Sequence, residues 1–130
     1  MSLTVPPDLQ AKVVTDEPAE EDFLTCVRSS LPYAYGLVAA LADDLSHSDR
    51  EYADNLVPPP DEQARGELLR ALASDAIRGA LERHFRVKLA FQNCHRLATF
   101  RPDAAGGATY AEFTSARAQL LNQMPELVNC

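Results

Sequence analysis

Five consecutive polar residues, Gln92, Asn93, Cys94, His95 and Arg96, form the most chemically loaded stretch of the chain. They combine a thiol, an imidazole, a guanidinium and two amides, and they interrupt an apolar alternation on either side. Polar groups in such a place lose stability unless they are hydrogen-bonded or meet a ligand. One reading makes them the wall of a small pocket, with Cys94 as a nucleophile and His95 or His84 as its base. Activation of a thiol by histidine needs direct hydrogen-bond contact. Neighbouring residues on a strand point to opposite faces, so the Cys94–His95 pair is poorly placed for it and His84 would have to act. The catalytic candidates are therefore Cys94, His95 and His84, and the ligand-binding candidates are Gln92, Asn93 and Arg96. The plainer alternative is a polar turn beside a buried thiol.

Other reactive residues do not assemble a site by spacing. Cys26, His84, Cys94, His95 and Cys130 lack the closely spaced ligand pairs of structural zinc, so neither a metal nor a cofactor is expected. Asp43 and His47 stand one helical turn apart, but acids at a helix C-terminus oppose the dipole, and His47 is expected at the surface. Arg86, Lys88 and Arg96 could hold a small anionic ligand, a phosphate or carboxylate, if they shared one sheet face. There is no glycine-rich phosphate loop, since Gly106 and Gly107 fall in a turn, and neither G-x-S-x-G nor H-E-x-x-H occurs.

The elements that would position these residues follow from periodicity. Between Asp61 and Phe85 apolar residues recur in steps of three and four, at Leu68, Leu69, Leu72, Ala73, Ala76, Ile77, Ala80 and Leu81. This predicts one long central helix, capped by Asp61 and preceded by Pro60. Gly66 and Gly79 within it, and Gly36 earlier, could admit a close neighbour, either another helix or a second copy. After Phe85 the period falls to 2: Val87, Leu89 and Phe91 predict a strand, and 95–100 a second one, unless 86–100 is one bent strand. RPDAAGG is a turn, and ATYAEFT after it suggests a third strand. Ser115 or Thr114 can cap a last helix ending before Pro125. Upstream, acids before Phe23 open one helix and Pro32 opens a second. Residues 46–60 are expected to be a polar, proline-closed linker with a short helical turn docking Tyr52, Leu56 and Val57. Residues 1–17 are expected to be a flexible tail, and 18–130 a single domain.

The fold class that results is α+β. N-terminal helices and a long central helix pack on one face of a short three-stranded antiparallel meander, followed by a C-terminal helix. At 130 residues and 46% apolar content the chain can bury a core without disulfides. The net charge of −7 argues against nucleic acid as a partner, and the longest apolar run is far too short to cross a membrane. The odd, scattered cysteines and polar N-terminus indicate a cytoplasmic protein with free thiols. The leading functional expectation is a non-enzymatic accessory or binding protein acting through a protein partner, self-association as a homodimer, or a small-ligand surface. Its tyrosines, Tyr33, Tyr35, Tyr52 and Tyr110, could serve such a surface or close the core edge. The alternative is a small enzyme or ligand-binding protein with a polar pocket around Gln92–Arg96 and His84.

Overall fold

The computed structural model describes residues 3–15, 19–92 and 96–123. Helix α1 spans Pro7–Thr15, within the stretch expected to be a loose tail. Lys12 there pairs with Asp22 at 2.7 Å, and Val14 is exposed. Helix α2 (Glu20–Ser30) opens on three acids, Glu20, Glu21 and Asp22, which suit the positive end of the helix dipole. It buries Leu24, Cys26 and Val27. Fully buried Leu31 breaks the run, and Pro32 occupies the first turn of α3 (Pro32–Ser46), where its missing N–H costs nothing. The α3 residues Ala34, Val38, Leu41 and Leu45 fall at helical spacing and face the core.

No side chain next to α3 in sequence caps its N-terminus. The cap arrives from elsewhere: Glu67, buried at 3% exposure, accepts the Tyr33 N–H at 2.8 Å. A carboxylate there both satisfies an orphan donor and complements the dipole. Tyr33 is affected in turn: burial, then the charges of Asp61 and Glu67, raise its phenol above the ordinary 10.0.

The expected long central helix is two helices. Helix α4 covers Glu62–Ala73 and α5 covers Asp75–Phe85. Ser74 between them is extended, and its hydroxyl accepts the Ile77 N–H at 3.3 Å, which makes it the N-cap of α5. Arg78 locks the junction, bonding Asp75 at 2.6 Å and the Leu72 carbonyl at 3.3 Å. The break changes which residues face inward: Glu67 is buried, whereas Leu69, Ala73 and Ala76 are exposed. Asp61 caps α4 as expected, accepting the Ala64 N–H at 2.8 Å. A Cβ at Gly36 would meet nothing within 4 Å, and one at Gly79 only the Arg83 side chain, so neither glycine marks a close helix contact.

Strands β1 (Tyr52–Asp54), β2 (Lys88–Gln92) and β3 (Arg96–Phe100) form a three-stranded antiparallel sheet in the order β1-β3-β2. Residues 86–100 are thus two paired strands, with Gln92 opposite Arg96 and Lys88 opposite Phe100. The third strand is β1, from the linker, not the segment after the turn. Its three residues are extended in effect by Asn55, whose side chain accepts the Leu97 N–H at 2.7 Å. Leu56 and Val57 beyond it are exposed at 88% and 74%, so no docked helical turn forms there. ATYAEF instead makes helix α6 (Ala108–Phe113), because Tyr110 and Phe113, three residues apart, can then both reach Phe100. Helix α7 (Ala116–Gln123) follows, with the Ser115 hydroxyl accepting the Ala118 N–H at 3.0 Å.

Helices therefore cover both faces of the sheet, and not one only. Ala53, Leu89, Phe91 and Leu97 face the main core with α2–α5. Ala90, Ala98, Phe100 and Tyr52 face a second, aromatic cluster with Phe113 and Tyr110. This division follows the period of two along each strand. Arg101 ties the layers together: its guanidinium donates to the carbonyls of Leu45 (2.8 Å), Arg50 (2.9 Å) and Ser48, closing the C-terminal end of α3.

Candidate ligand-binding cleft

On the second face of the sheet a cleft of about 660 Å³ opens between the strands and the two C-terminal helices. Each strand contributes one residue, Tyr52, Gln92 and Arg96, and these belong to the face on which β2 and β3 also place Ala90 and Ala98. Helix α6 adds Ala108, Thr109, Glu112 and Phe113, and α7 adds Ala118 and Leu121. The volume lies within the range of small-molecule sites.

Gln92 is the polar centre of this wall. It is 2% exposed, and its Nε2 donates to the Phe113 carbonyl at 2.7 Å. That bond fixes which way the amide points, because turning it over would set two oxygens against each other. Its Oε1 is buried and has no hydrogen-bond partner among the described residues. A buried carbonyl oxygen left in this state costs free energy that a donor from a ligand or water would recover.

Arg96 is already engaged. Its Nε and Nη2 both donate to Asp54 Oδ2, at 2.8 and 2.5 Å, and the Asp54 side chain is only 5% exposed. The guanidinium also lies 5.3 Å from the centre of the Phe113 ring, a cation–π contact that holds the ring in place. Tyr52 stacks on Phe100 with ring centres 5.0 Å apart and stands 6.2 Å from Phe113, so the inner wall is aromatic. At the rim, Glu112 pairs loosely with Arg117 at 3.7 Å, both exposed.

The other candidates fall elsewhere. His84 lies near the C-terminus of α5, exposed, with Nε2 3.4 Å from the Tyr35 hydroxyl and its ring edge-on to Phe85. Strand β2 separates it from Gln92; four residue steps are about 13 Å, so His84 does not share the cleft. Asn93, Cys94 and His95 lie outside the described residues, as does Cys130. Cys26 is a buried free thiol on α2.

The three bases Arg86, Lys88 and Arg96 are not brought together. Arg86 ends α5 in the left-handed conformation (φ 56°), Lys88 pairs with Glu82 at 3.6 Å, and Arg96 sits at the far end of the strand pair. His47 is a surface residue bonded to the Asp43 carbonyl at 2.8 Å. Among the described residues no three acids, histidines or cysteines converge on a common point.

Of the residues lining the cleft, the sequence singles out Gln92 and Arg96 as ligand-binding candidates and Tyr52 as a surface tyrosine, but not Thr109, Glu112 or Phe113. The last three come from α6, a segment whose pattern suggests a strand. The three-residue spacing of Tyr110 and Phe113 was the available signal for α6.

A family model described as NucS shadow ORF matches residues 1–130. The chain belongs to that family. The description of the NucS shadow ORF family identifies a reading frame and states no activity. No curated protein and no solved structure matches this member of the family. No helix among its described residues is long and apolar enough to cross a membrane.

Proposed function

We propose that this chain is a non-catalytic binding protein of the cytoplasm that takes a small ligand in the cleft between the sheet and its C-terminal helices. One observation carries the reading: Gln92 lines that cleft and holds a buried carbonyl oxygen with no partner among the described residues. Natural proteins rarely leave such a group unsatisfied away from functional places. A ligand donor would complete it, and Tyr52 and Phe113 supply the apolar surface such sites normally offer. A catalytic reading has less support, since His84 stands apart from the cleft and Arg96 is committed to Asp54. The net charge of −7 disfavours nucleic acid as the ligand.

Native mass spectrometry of the protein isolated gently from its own cells, with reductant, tests this. A small noncovalent mass that disappears on denaturation and is absent from the Gln92→Leu variant is the expected result. Bare protein in both samples overturns the proposal.

The family description favours a second reading. A shadow reading frame is defined by its relation to another, NucS, and on that basis the chain would be a translation without a role of its own. Against it stands the agreement between local and global choices: Asp61 and Ser74 cap the helices they precede, and buried Glu67 meets an orphan N–H 34 positions away. Unselected sequences do not show such mutual support. Peptides of this chain in digests of the cells, and cooperative unfolding of the purified protein, are expected on the binding reading. Absence of the peptides, or a broad non-cooperative melt, favours the second.

A further inference from the structure

The cleft has a chemical preference that follows from what its polar groups have already spent. Arg96, the sole cation among the described residues that line it, is neutralised by Asp54 through two hydrogen bonds to one carboxylate oxygen. Glu112 at the rim pairs only loosely with exposed Arg117, at 3.7 Å, so no uncompensated cation among the described lining residues is left to draw an anion. Gln92 offers an unpartnered acceptor, Oε1, while one of its two amide N–H donors is taken by the Phe113 carbonyl. Tyr52 and Phe113 present ring surface beside it.

Resting on the binding reading above, we infer that the cleft selects a flat, uncharged molecule carrying an N–H or O–H donor, such as an aromatic amide, and rejects anions of the same shape. Ligand entry would have to part the wall enough to expose the occluded Gln92 Oε1, to which the donor would then bond while the ring packs beside Phe113 and Tyr52. Flat shape is favoured because aromatic pairs gain from offset or edge contacts beyond plain burial. Selection against a ligand lacking the donor follows because that ligand would leave the buried oxygen unpaired.

Three probes of one shape separate the possibilities: benzamide, benzoate and toluene, titrated into ¹⁵N-labelled protein with the backbone amides of Gln92, Thr109 and Phe113 followed by NMR. Benzamide is expected to shift these amides and to bind about tenfold more tightly than either other probe, the factor that one buried acceptor left unpaired corresponds to. Gln92→Leu, or Gln92→Met if the leucine variant folds poorly, should abolish that preference. Equal binding of benzamide and toluene would overturn the donor requirement but leave the cleft as a binding site. Tighter binding of benzoate would overturn the exclusion of anions. If none of the three moves the cleft amides, this inference and the binding reading fall together.

Discussion

Replacing Gln92 with leucine should leave the stability of the ligand-free protein nearly unchanged, although Gln92 is one of the most deeply buried polar residues in the fold. Two terms act in each direction. Loss of the Nε2 bond to the Phe113 carbonyl costs about 1 kcal/mol, and the carbonyl left behind costs about 1–3 kcal/mol if water cannot reach it. Removing the unpaired Oε1 returns about 1–3 kcal/mol, and the added apolar side chain buries about one further methylene's worth of surface, about 0.8 kcal/mol. The net is expected within about 1 kcal/mol of zero, whereas a fully satisfied buried amide would lose about 2–4 kcal/mol on the same change, one hydrogen bond with its orphaned partner. Urea denaturation followed by circular dichroism gives the difference from the midpoint and slope. A loss above about 2 kcal/mol would mean that Oε1 has a partner in solution and would remove the reason for placing a ligand there. A residue neutral for folding yet required for binding is the pattern expected where function has been kept at some cost to stability.

Other residues give independent checks. Glu67→Ala should lower stability by about 2 kcal/mol, since a charged acceptor is lost and the Tyr33 N–H is orphaned, and Glu67→Gln should lose less than half of that; urea midpoints of both variants decide. Asp54→Ala should free the Arg96 guanidinium into the cleft, so that benzoate, excluded by the native protein, gains binding in the NMR titration; no gain would show that Arg96 is not the reason anions are turned away. The Tyr33 phenol, raised above 10.0 by burial and the charges of Asp61 and Glu67, keeps its proton in the folded state longer than in the unfolded state. Its contribution is therefore fully present below pH 10 and is lost as pH rises through the raised folded value. The Tyr33→Phe variant should accordingly show a shallower fall in denaturation midpoint above pH 10 than the native protein.

The parts of the fold legible in the sequence are those decided locally. Pro32 and the Ala34, Val38, Leu41 and Leu45 spacing define α3, and the alternation from Val87 to Phe91 defines β2. The break at Ser74 was hidden because apolar spacing continues through it: Leu72, Ala76 and Ala80 still fit a single helix, although Ser-Asp-x-x-Arg is a capped start with its ion pair. Strand β1 was hidden for the opposite reason. Three residues cannot show a period of two, and their pairing is set by β3, more than forty positions away. For the cleft, Gln92 and Arg96 stood out as polar residues inside apolar strands. That they share a face with Tyr52 depends on strand register, and that Phe113 orients the Gln92 amide depends on α6 folding back over the sheet. Neither relation is encoded in nearby residues.

The most direct measurement of the central claim is a crystal structure of the protein soaked with benzamide. Density is expected in the cleft between Phe113 and Tyr52, with the amide nitrogen about 2.9 Å from Gln92 Oε1. A cleft filled by the protein's own side chains, with Oε1 bonded to a protein donor, would contradict it.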